Sequence, residues 1–206
     1  AAAPGAGSLA LARIDPAASR SDVVVVPAGS DTPTTVTSSG EGTFTGVDWA
    51  PGAGWLAATH VGPAGGELRR VDPRGTATIT TWSSPRPVTT PRVAPGGARV
   101  AVASTTRDGG SDLVVVSDDG ARVVARAGGH APEPPWACAP LGPTGLRPVG
   151  WLDDERVVVE VAASCHEVLV AELVVMTLAG DTAVLLDHVD PVSYTHLRAH
   201  ETKANL

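Results

Sequence analysis

Residues able to bind a metal ion are few in this sequence, and they are widely spaced. The chain has two cysteines and six histidines. Cys138, Cys165, His60, His130 and His166 are of the types that bind zinc. These five residues form no C-x-x-C or H-x₃₋₅-H pair, the spacings that bring two ligands together locally. The sequence therefore predicts no metal site, and these histidines are interpreted as surface residues.

Motifs for nucleophilic catalysis and phosphate binding are also missing. Gly109 to Leu113 reads Gly-Gly-Ser-Asp-Leu and lacks the second glycine of the G-x-S-x-G elbow that exposes a catalytic serine. The neighbouring carboxylates Asp153 and Asp154 fall in a predicted hairpin turn, where solvated acids are common. Gly-Gly pairs here end strands and do not open helices, unlike glycine-rich phosphate loops. We predict no catalytic residue and no cofactor site, and therefore no enzymatic activity in this chain.

The last residues differ in composition from everything before them. His196 and His200 are spaced as in half of a helical zinc site, but the glutamate of H-E-x-x-H is missing. Residues 192–202 read V-S-Y-T-H-L-R-A-H-E-T, which resembles the translation of a transposase-type sequencing adapter. The earlier part of the chain takes all its non-histidine positive charge from Arg, as expected of a GC-rich gene of actinobacterial type. The only Tyr, Lys and Asn are Tyr194, Lys203 and Asn205.

We therefore interpret 191–206 as a non-native tail and exclude it from the fold. A genuine zinc-binding or interaction tail is the alternative. Residues 1–8, which lack a start Met, are interpreted as a linker or a truncated start.

Charge and hydropathy argue against two kinds of partner. The net charge is −7 and the isoelectric point is about 5.2, whereas nucleic-acid binding requires a concentrated basic surface. No apolar run reaches the roughly 18 residues needed to cross a bilayer. We predict neither nucleic-acid binding nor a transmembrane segment in this chain.

A repeat of about 45 residues organises the rest of the sequence. Asp22, Glu67 and Asp112 each open an apolar run, and they lie 45 residues apart. In a fourth copy the equivalent acid is Glu172, 60 residues further along. The Pro-rich stretch 128–145 accounts for the difference and is interpreted as an insertion.

Each copy contains four short apolar segments separated by Gly-rich turns. In the third copy these are Val88–Val93, Arg99–Ser104, Asp112–Ser117 and Ala121–Ala127. Segments that are apolar on both faces suit strands lying between two other sheets. We therefore predict an all-β fold, a β-propeller fragment of about four four-stranded antiparallel blades. The predicted partial propeller spans 9–190, with repeats at about 9–40, 41–84, 85–127 and 146–190.

A β-sandwich is the alternative architecture, because its turns also recur, every ~8–12 residues. It gives no reason, however, for whole units to recur in register.

The second and third copies resemble a known family. Each contains a pair of segments that resembles the TolB-type, WD-like propeller repeat. The pair in the second copy is W-A-P-G-A-G-W-L-A-A with G-E-L-R-R-V-D-P-R-G, and the pair in the third is V-A-P-G-G-A-R-V-A-V-A-S with S-D-L-V-V-V-S-D-D-G. That repeat consists of a Ser/Ala-Pro-Asp-Gly turn, an apolar strand, Asp/Glu-Leu, a second apolar strand and Asp-x-x-Gly. The resemblance covers about Leu9 to Leu186 and lacks the Asp of the Pro-Asp-Gly turn. It implies a cell-envelope or extracellular propeller that serves as a rigid interaction platform.

The two cysteines are expected on one face of such a propeller. Cys138 lies in the insertion joining the third and fourth copies, and Cys165 lies between the second and third strands of the fourth. These two kinds of connection open on the same face, so we predict a Cys138–Cys165 disulfide. It would close a loop of about 27 residues and contribute about 3 kcal/mol. Two free thiols are the alternative. Trp136, His130 and His166 form the predicted contact loop of this face.

The sequence thus predicts a non-enzymatic, exported β-propeller scaffold that binds a protein or a cell-envelope ligand. The expected location is extracytoplasmic, either secreted or anchored to the cell surface. One alternative is the propeller domain of a larger hydrolase, similar to prolyl oligopeptidases, with its catalytic domain outside this chain. A propeller of a sugar-processing enzyme is a third hypothesis.

Overall fold

The computed structural model describes residues 1–3, 7–17, 20–107, 109–127, 145–165 and 168–189. Apart from one 3-10 turn at Pro51–Ala53, the elements in these ranges are β-strands. The strands are β1 (Leu9–Asp15), β2 (Arg20–Val26), β3 (Thr34–Ser39), β4 (Thr43–Trp49), β5 (Leu56–Gly62), β6 (Gly65–Val71), β7 (Thr78–Ser84), β8 (Val88–Val93), β9 (Arg99–Thr105), β10 (Ser111–Ser117), β11 (Gly120–Ala127), β12 (Gly145–Asp153), β13 (Arg156–Cys165), β14 (Val168–Thr177) and β15 (Thr182–Val189).

The strands form four antiparallel sheets, each made of strands that are consecutive in the chain. Sheet 1 contains β1–β3, sheet 2 contains β4–β7, sheet 3 contains β8–β11 and sheet 4 contains β12–β15. In the described part of the chain, sheet 1 has three strands where the sequence predicted four, and an isolated bridge joins Ala2 to Leu9 at the position of the missing first strand. In sheet 3 the strand boundaries agree with the predicted segments to within one residue.

The hairpin of β10 and β11 shows why these segments form strands. Its apolar run Leu113–Val116 is completely buried. β-branched residues favour the extended backbone, and here their side chains alternate between two neighbouring sheets. Asp118 and Asp119 form the turn, and Gly120, at φ 121°, takes up a backbone conformation that a side chain would disfavour.

Among the described residues, the hydrophobic core is divided into three clusters, each lying between two consecutive sheets. One cluster joins sheets 1 and 2, a second joins sheets 2 and 3, and the third joins sheets 3 and 4. Within β10, Leu113 and Val115 belong to the cluster shared with sheet 4, whereas Val114 and Val116 belong to the cluster shared with sheet 2. Sheet 3 is therefore covered on both faces by its neighbours in the chain, which a two-layer sandwich would not produce.

The first strands of successive sheets also contact one another, β4 with β8 and β8 with β12. Two tryptophans at equivalent positions each donate a hydrogen bond to a carbonyl of the preceding blade. Trp49 Nε1 donates to the Ala1 carbonyl at 3.1 Å, and Trp151 Nε1 donates to the Arg92 carbonyl at 2.9 Å. The sheets are thus stacked side by side, as predicted for propeller blades.

A serine near the start of β2 and another at the start of β10, two equivalent strands, each bond to the first strand of the next sheet. Ser21 Oγ accepts from the Phe44 amide at 2.9 Å, and Ser111 Oγ accepts from the Leu146 amide at 2.5 Å. Ser111 lies one residue before the predicted strand Asp112–Ser117, but in the structure it is the first residue of β10 and joins two sheets. The equivalent residue of sheet 2 is Gly66, because β8 passes too close there for any side chain.

Candidate functional site

The chain passes from each sheet to the next at one end of the stacked sheets, which we name the crossover face. It comprises the connections 40–42 and 85–87, together with the turn 63–64 and the described residues 106–107 and 109–110 between β9 and β10. Ala127, which ends β11, and Gly145, which begins β12, lie at the same end. The predicted insertion therefore leaves and rejoins the described chain on the crossover face.

The predicted contact loop and disulfide fall largely outside the described residues. His130, Trp136, Cys138 and His166 all belong to the ranges that the structure does not describe. Cys165 is the last residue of β13, at the crossover face, and not a turn residue. The Cys138–Cys165 disulfide and the contact loop stay predictions.

His60 was expected to be a surface residue, and this expectation is wrong. It lies within β5 and is only 4% exposed. The physical reason is two contacts from other strands: Phe44, its cross-strand partner in β4, packs against the imidazole at 5.1 Å between ring centroids, and Ser39 of sheet 1 hydrogen-bonds to Nε2. The local sequence Thr-His-Val-Gly contains no sign of these contacts.

The hydrogen bonds of His60 determine where its ring proton lies. Arg69 Nη2 is 3.2 Å from Nδ1, and a guanidinium can only donate, so Nδ1 is an acceptor. The proton is therefore on Nε2, which lies 2.8 Å from Ser39 Oγ and 3.0 Å from the Glu41 carbonyl. Ser39 Oγ in turn donates to the Glu41 carbonyl at 2.5 Å. Burial lowers the pKa of His60, and the Arg69 cation lowers it further.

The residues Ser39, His60 and Glu67 have the types of a catalytic triad but the wrong arrangement. In a triad the histidine accepts the serine proton at one nitrogen and donates to the acid from the other. Here Nε2–H donates to Ser39 Oγ, and Nδ1 accepts a hydrogen bond from Arg69. Glu67 Oε2 is 3.9 Å from Nδ1 and pairs instead with Arg69 at 2.6 Å. Ser39 is therefore not activated as a nucleophile.

The acids of the 45-residue repeat occupy equivalent places in β2, β6 and β10, near the crossover face. Asp22 accepts from Arg13 and Arg20, both at 2.6 Å, and Glu67 pairs with Arg69. Burial raises the pKa of Asp22, but hydrogen bonds from Arg13, Arg20 and Ser38 outweigh it and lower the pKa to about 2. The sequence repeat thus encodes a repeated ion pair.

In sheet 3 the equivalent acid is incompletely paired. Asp112 Oδ1 is buried without a hydrogen-bond partner. Among the described side chains, no other buried nitrogen or oxygen atom lacks one. Its nearest cation is Arg126, whose Nε lies 3.7 Å away. A buried carboxylate oxygen without a donor is costly, so Asp112 marks a position that favours a proton donor.

Asp112 lines a cleft between sheets 2 and 3 that opens on the crossover face. Its volume is about 490 Å³, within the usual range for ligand pockets. We name it the arginine cleft, because Arg86, Arg107 and Arg126 line it. A second cleft, of about 370 Å³, is lined by Ser39, His60, Glu67 and Arg69, which we name the His60 cluster. The two clefts share Ser84 and so adjoin one another.

Sequence reasoning missed the arginine cleft. Its arginines come from three separate segments, the β7–β8 connection, the β9–β10 turn and β11, and no local motif links them. The signal that could have found them is their common position at one end of the predicted blades. Within the described ranges, no three His, Cys, Asp or Glu side chains meet in an arrangement suited to a metal ion.

Comparison with solved structures places this architecture among known folds. The chain is similar to a candidate TolB from Agrobacterium tumefaciens, with a TM-score of 0.65 and 13% identity over 90% of this chain and 63% of that one. The chain has the fold of a TolB-like β-propeller. This propeller is also similar to TolB from Acinetobacter baumannii, with a TM-score of 0.54 and 12% identity over 87% of this chain and 53% of that one.

A peptidase also has a similar structure. It is a puromycin-hydrolyzing peptidase from Mycobacterium tuberculosis, with a TM-score of 0.59 and 16% identity over 91% of this chain and 28% of that one. The propeller spans less than two thirds of the length of each of these three structures. No protein-family model and no curated protein sequence matches it. No helix in the described ranges has the length and apolar character needed to span a membrane.

Proposed function

We propose that this chain is a non-enzymatic, exported binding scaffold whose crossover face engages a protein or a cell-envelope ligand. The observation that carries the proposal is the arginine cleft on that face, with Arg86 and Arg107 side chains that have no acceptor among the described residues. Unpaired guanidinium groups in a cleft are typical of recognition sites, because they bind carboxylates with defined geometry. One cleft is not the extended basic surface that nucleic-acid binding requires.

The His60 cluster supports a scaffold more than an enzyme. Among the described residues, it is the arrangement that most resembles a catalytic site. The ring proton of His60 lies on Nε2, which faces Ser39, so the histidine cannot accept the Ser39 proton there. The hydrogen bonds from His60 Nε2 to Ser39 Oγ and to the Glu41 carbonyl fix the β3–β4 connection against β5. We infer that this cluster holds the crossover face in shape.

A second candidate function is the propeller domain of a larger peptidase. The likeness to the puromycin-hydrolyzing peptidase favours it, because the propeller covers only 28% of that chain. The complete reading frame of the gene separates the two candidates. A downstream α/β-hydrolase segment with G-x-S-x-G would support the peptidase, whereas a reading frame that stops after two or three more blades would support the scaffold.

Photo-crosslinking in the producing cell tests the role of the crossover face. A photoreactive amino acid at exposed Arg107 is expected to yield a discrete crosslinked species. The matched control is the same amino acid at Arg122, an exposed residue at the other end of sheet 3. Crosslinks of equal yield from both positions, or from neither, would contradict the proposal.

Export and the disulfide have a test of their own. If the protein is exported as proposed, non-reducing mass analysis of secreted protein should show Cys138 and Cys165 joined. Two free thiols would contradict the disulfide, and retention of the full gene product in the cytoplasm would contradict export.

A further inference from the structure

The arginine cleft presents positive charge that the protein does not neutralise. Arg86 lies in the β7–β8 connection and Arg107 in the β9–β10 turn, so both approach the cleft from its rim. Neither guanidinium has a hydrogen-bond or ion-pair partner among the described residues. In a chain with a net charge of −7, two such groups in one cleft favour an anionic ligand.

The same cleft also offers an unpaired acceptor. Asp112 Oδ1 is buried and lacks a donor, and Arg126 approaches it only to 3.7 Å. A ligand that fills the cleft must therefore supply a proton donor as well as a negative charge. Inorganic phosphate has an O–H donor, but it bears between one and two negative charges near neutral pH, so Asp112 would repel it more than a single carboxylate.

The remaining wall of the cleft is partly apolar. Trp82 and Val114 belong to the hydrophobic cluster between sheets 2 and 3, and Val123 is an exposed apolar residue beside them. Val114 is already buried, so a ligand with an apolar side chain would gain by covering Trp82 and Val123. A carboxylate, an N–H donor and an apolar side chain within a few bonds of each other are the ordinary features of a peptide.

We propose that the arginine cleft binds an acidic peptide segment of a protein partner. Arg86 and Arg107 bind a carboxylate of the segment, a backbone N–H of the segment donates to Asp112 Oδ1, and an apolar side chain covers Trp82. This inference rests on the proposed function, because it names the class of partner that the crossover face recognises.

Fluorescence anisotropy with defined peptides tests the proposal on the full gene product. The probe is a fluorescein-labelled peptide of alternating Glu and Leu, with its C-terminus amidated, in phosphate-free buffer of low ionic strength. We expect it to bind and the peptide with Gln in place of Glu to bind at least ~tenfold more weakly. The double variant Arg86→Gln with Arg107→Gln should lose at least ~tenfold in affinity for the Glu peptide.

The matched control is the double variant Arg74→Gln with Arg122→Gln. These arginines are exposed and lie at the opposite end of the sheets, so the same change in net charge should alter affinity by less than ~twofold. Arg107→Gln alone changes an exposed turn residue whose side chain makes no hydrogen bond or ion pair with the described residues. It should weaken binding even if the double variant folds poorly, which thermal denaturation will reveal.

Four outcomes would overturn the proposal. Three concern binding itself: equal binding of the Glu and Gln peptides, unchanged affinity in the Arg107→Gln variant, or no binding up to ~1 mM peptide. The fourth is displacement of the labelled peptide by inorganic phosphate or phosphatidylglycerol vesicles at a lower concentration than by unlabelled Glu peptide. None of these outcomes contradicts the proposed scaffold function if crosslinking at Arg107 still exceeds that at Arg122. Loss of that difference would instead contradict the proposed function itself.

Discussion

At the scale of single residues, the ion pairs of Asp22 make the fold sensitive to acid. The Asp22 side chain is 3% exposed and its pKa is about 2, below the value of 3.8 for a free aspartate. Because the folded pKa is the lower one, the stabilisation is complete above about pH 4 and is lost as the pH falls toward 2. Asp22→Asn should lower the free energy of unfolding at pH 7 by about 1–3 kcal/mol, since Arg13 and Arg20 lose their charged acceptor.

Urea denaturation at pH 7 and pH 2.5 measures this effect. The difference between wild type and Asp22→Asn should shrink at the lower pH. Asp118→Asn, in the exposed turn between β10 and β11, should change stability by less than ~0.5 kcal/mol at either pH. An Asp22→Asn penalty that is the same at both values of pH would contradict the lowered pKa.

His60 provides a second prediction at this scale. Its pKa in the folded protein is lowered, so the unfolded chain takes up a proton at a higher pH than the folded one does. The stability that neutral His60 contributes is therefore complete above about pH 6.5 and declines as the pH falls below that value. His60→Gln should remove this part of the pH dependence in thermal denaturation between pH 7.5 and 5.

The tautomer of His60 has a direct readout. Long-range ¹H–¹⁵N NMR correlations should show the proton on Nε2 at pH 7, and a fluorophosphonate probe should leave Ser39 unlabelled. A proton on Nδ1 together with labelled Ser39 would instead indicate a working nucleophile.

At the scale of secondary-structure elements, close approach between sheets is specified by single glycines. A Cβ on Gly66 would lie 2.0 Å from Val88 Cγ2 and 2.5 Å from the Arg86 carbonyl. Gly66→Ala must push β8 away from β6, and we expect a loss of about 2–4 kcal/mol in the free energy of unfolding. Gly150→Ala is the matched strand substitution, because a Cβ there meets nothing within 4 Å. Equal midpoints of denaturation for the two variants would contradict this packing.

The elements themselves were largely predictable from the sequence, and their partners were not. The spacing of Asp22, Glu67 and Asp112 and the Gly-containing turns define each strand locally, so β8–β11 were predicted to within one residue. His60, by contrast, is buried by Phe44 and Ser39, which belong to other strands. The arginine cleft depends in the same way on three distant segments. Local pattern determines strands, whereas sites between blades depend on how far each blade is rotated against the next.

At the scale of the whole molecule, the stacking of sheets predicts a gradient of stability within each blade. The middle strands β9 and β10 are hydrogen-bonded on both edges and covered on both faces by the neighbouring sheets. The last strands β7 and β11 pair on one edge and are mostly exposed. Opening of β11 exposes little apolar surface, whereas opening of β10 disrupts two of the three core clusters.

Hydrogen exchange measured by mass spectrometry should therefore resolve the blades into layers. Amides of β9 and β10 should exchange only through global unfolding, and those of β7 and β11 through local opening that costs far less. The pair β6 and β7 gives an internal replicate in sheet 2, where β6 should be the more protected strand. Equal protection of β10 and β11 would mean that the outer edge is covered, as in a closed barrel or a second layer. The stacked arrangement on which both clefts depend would then be wrong.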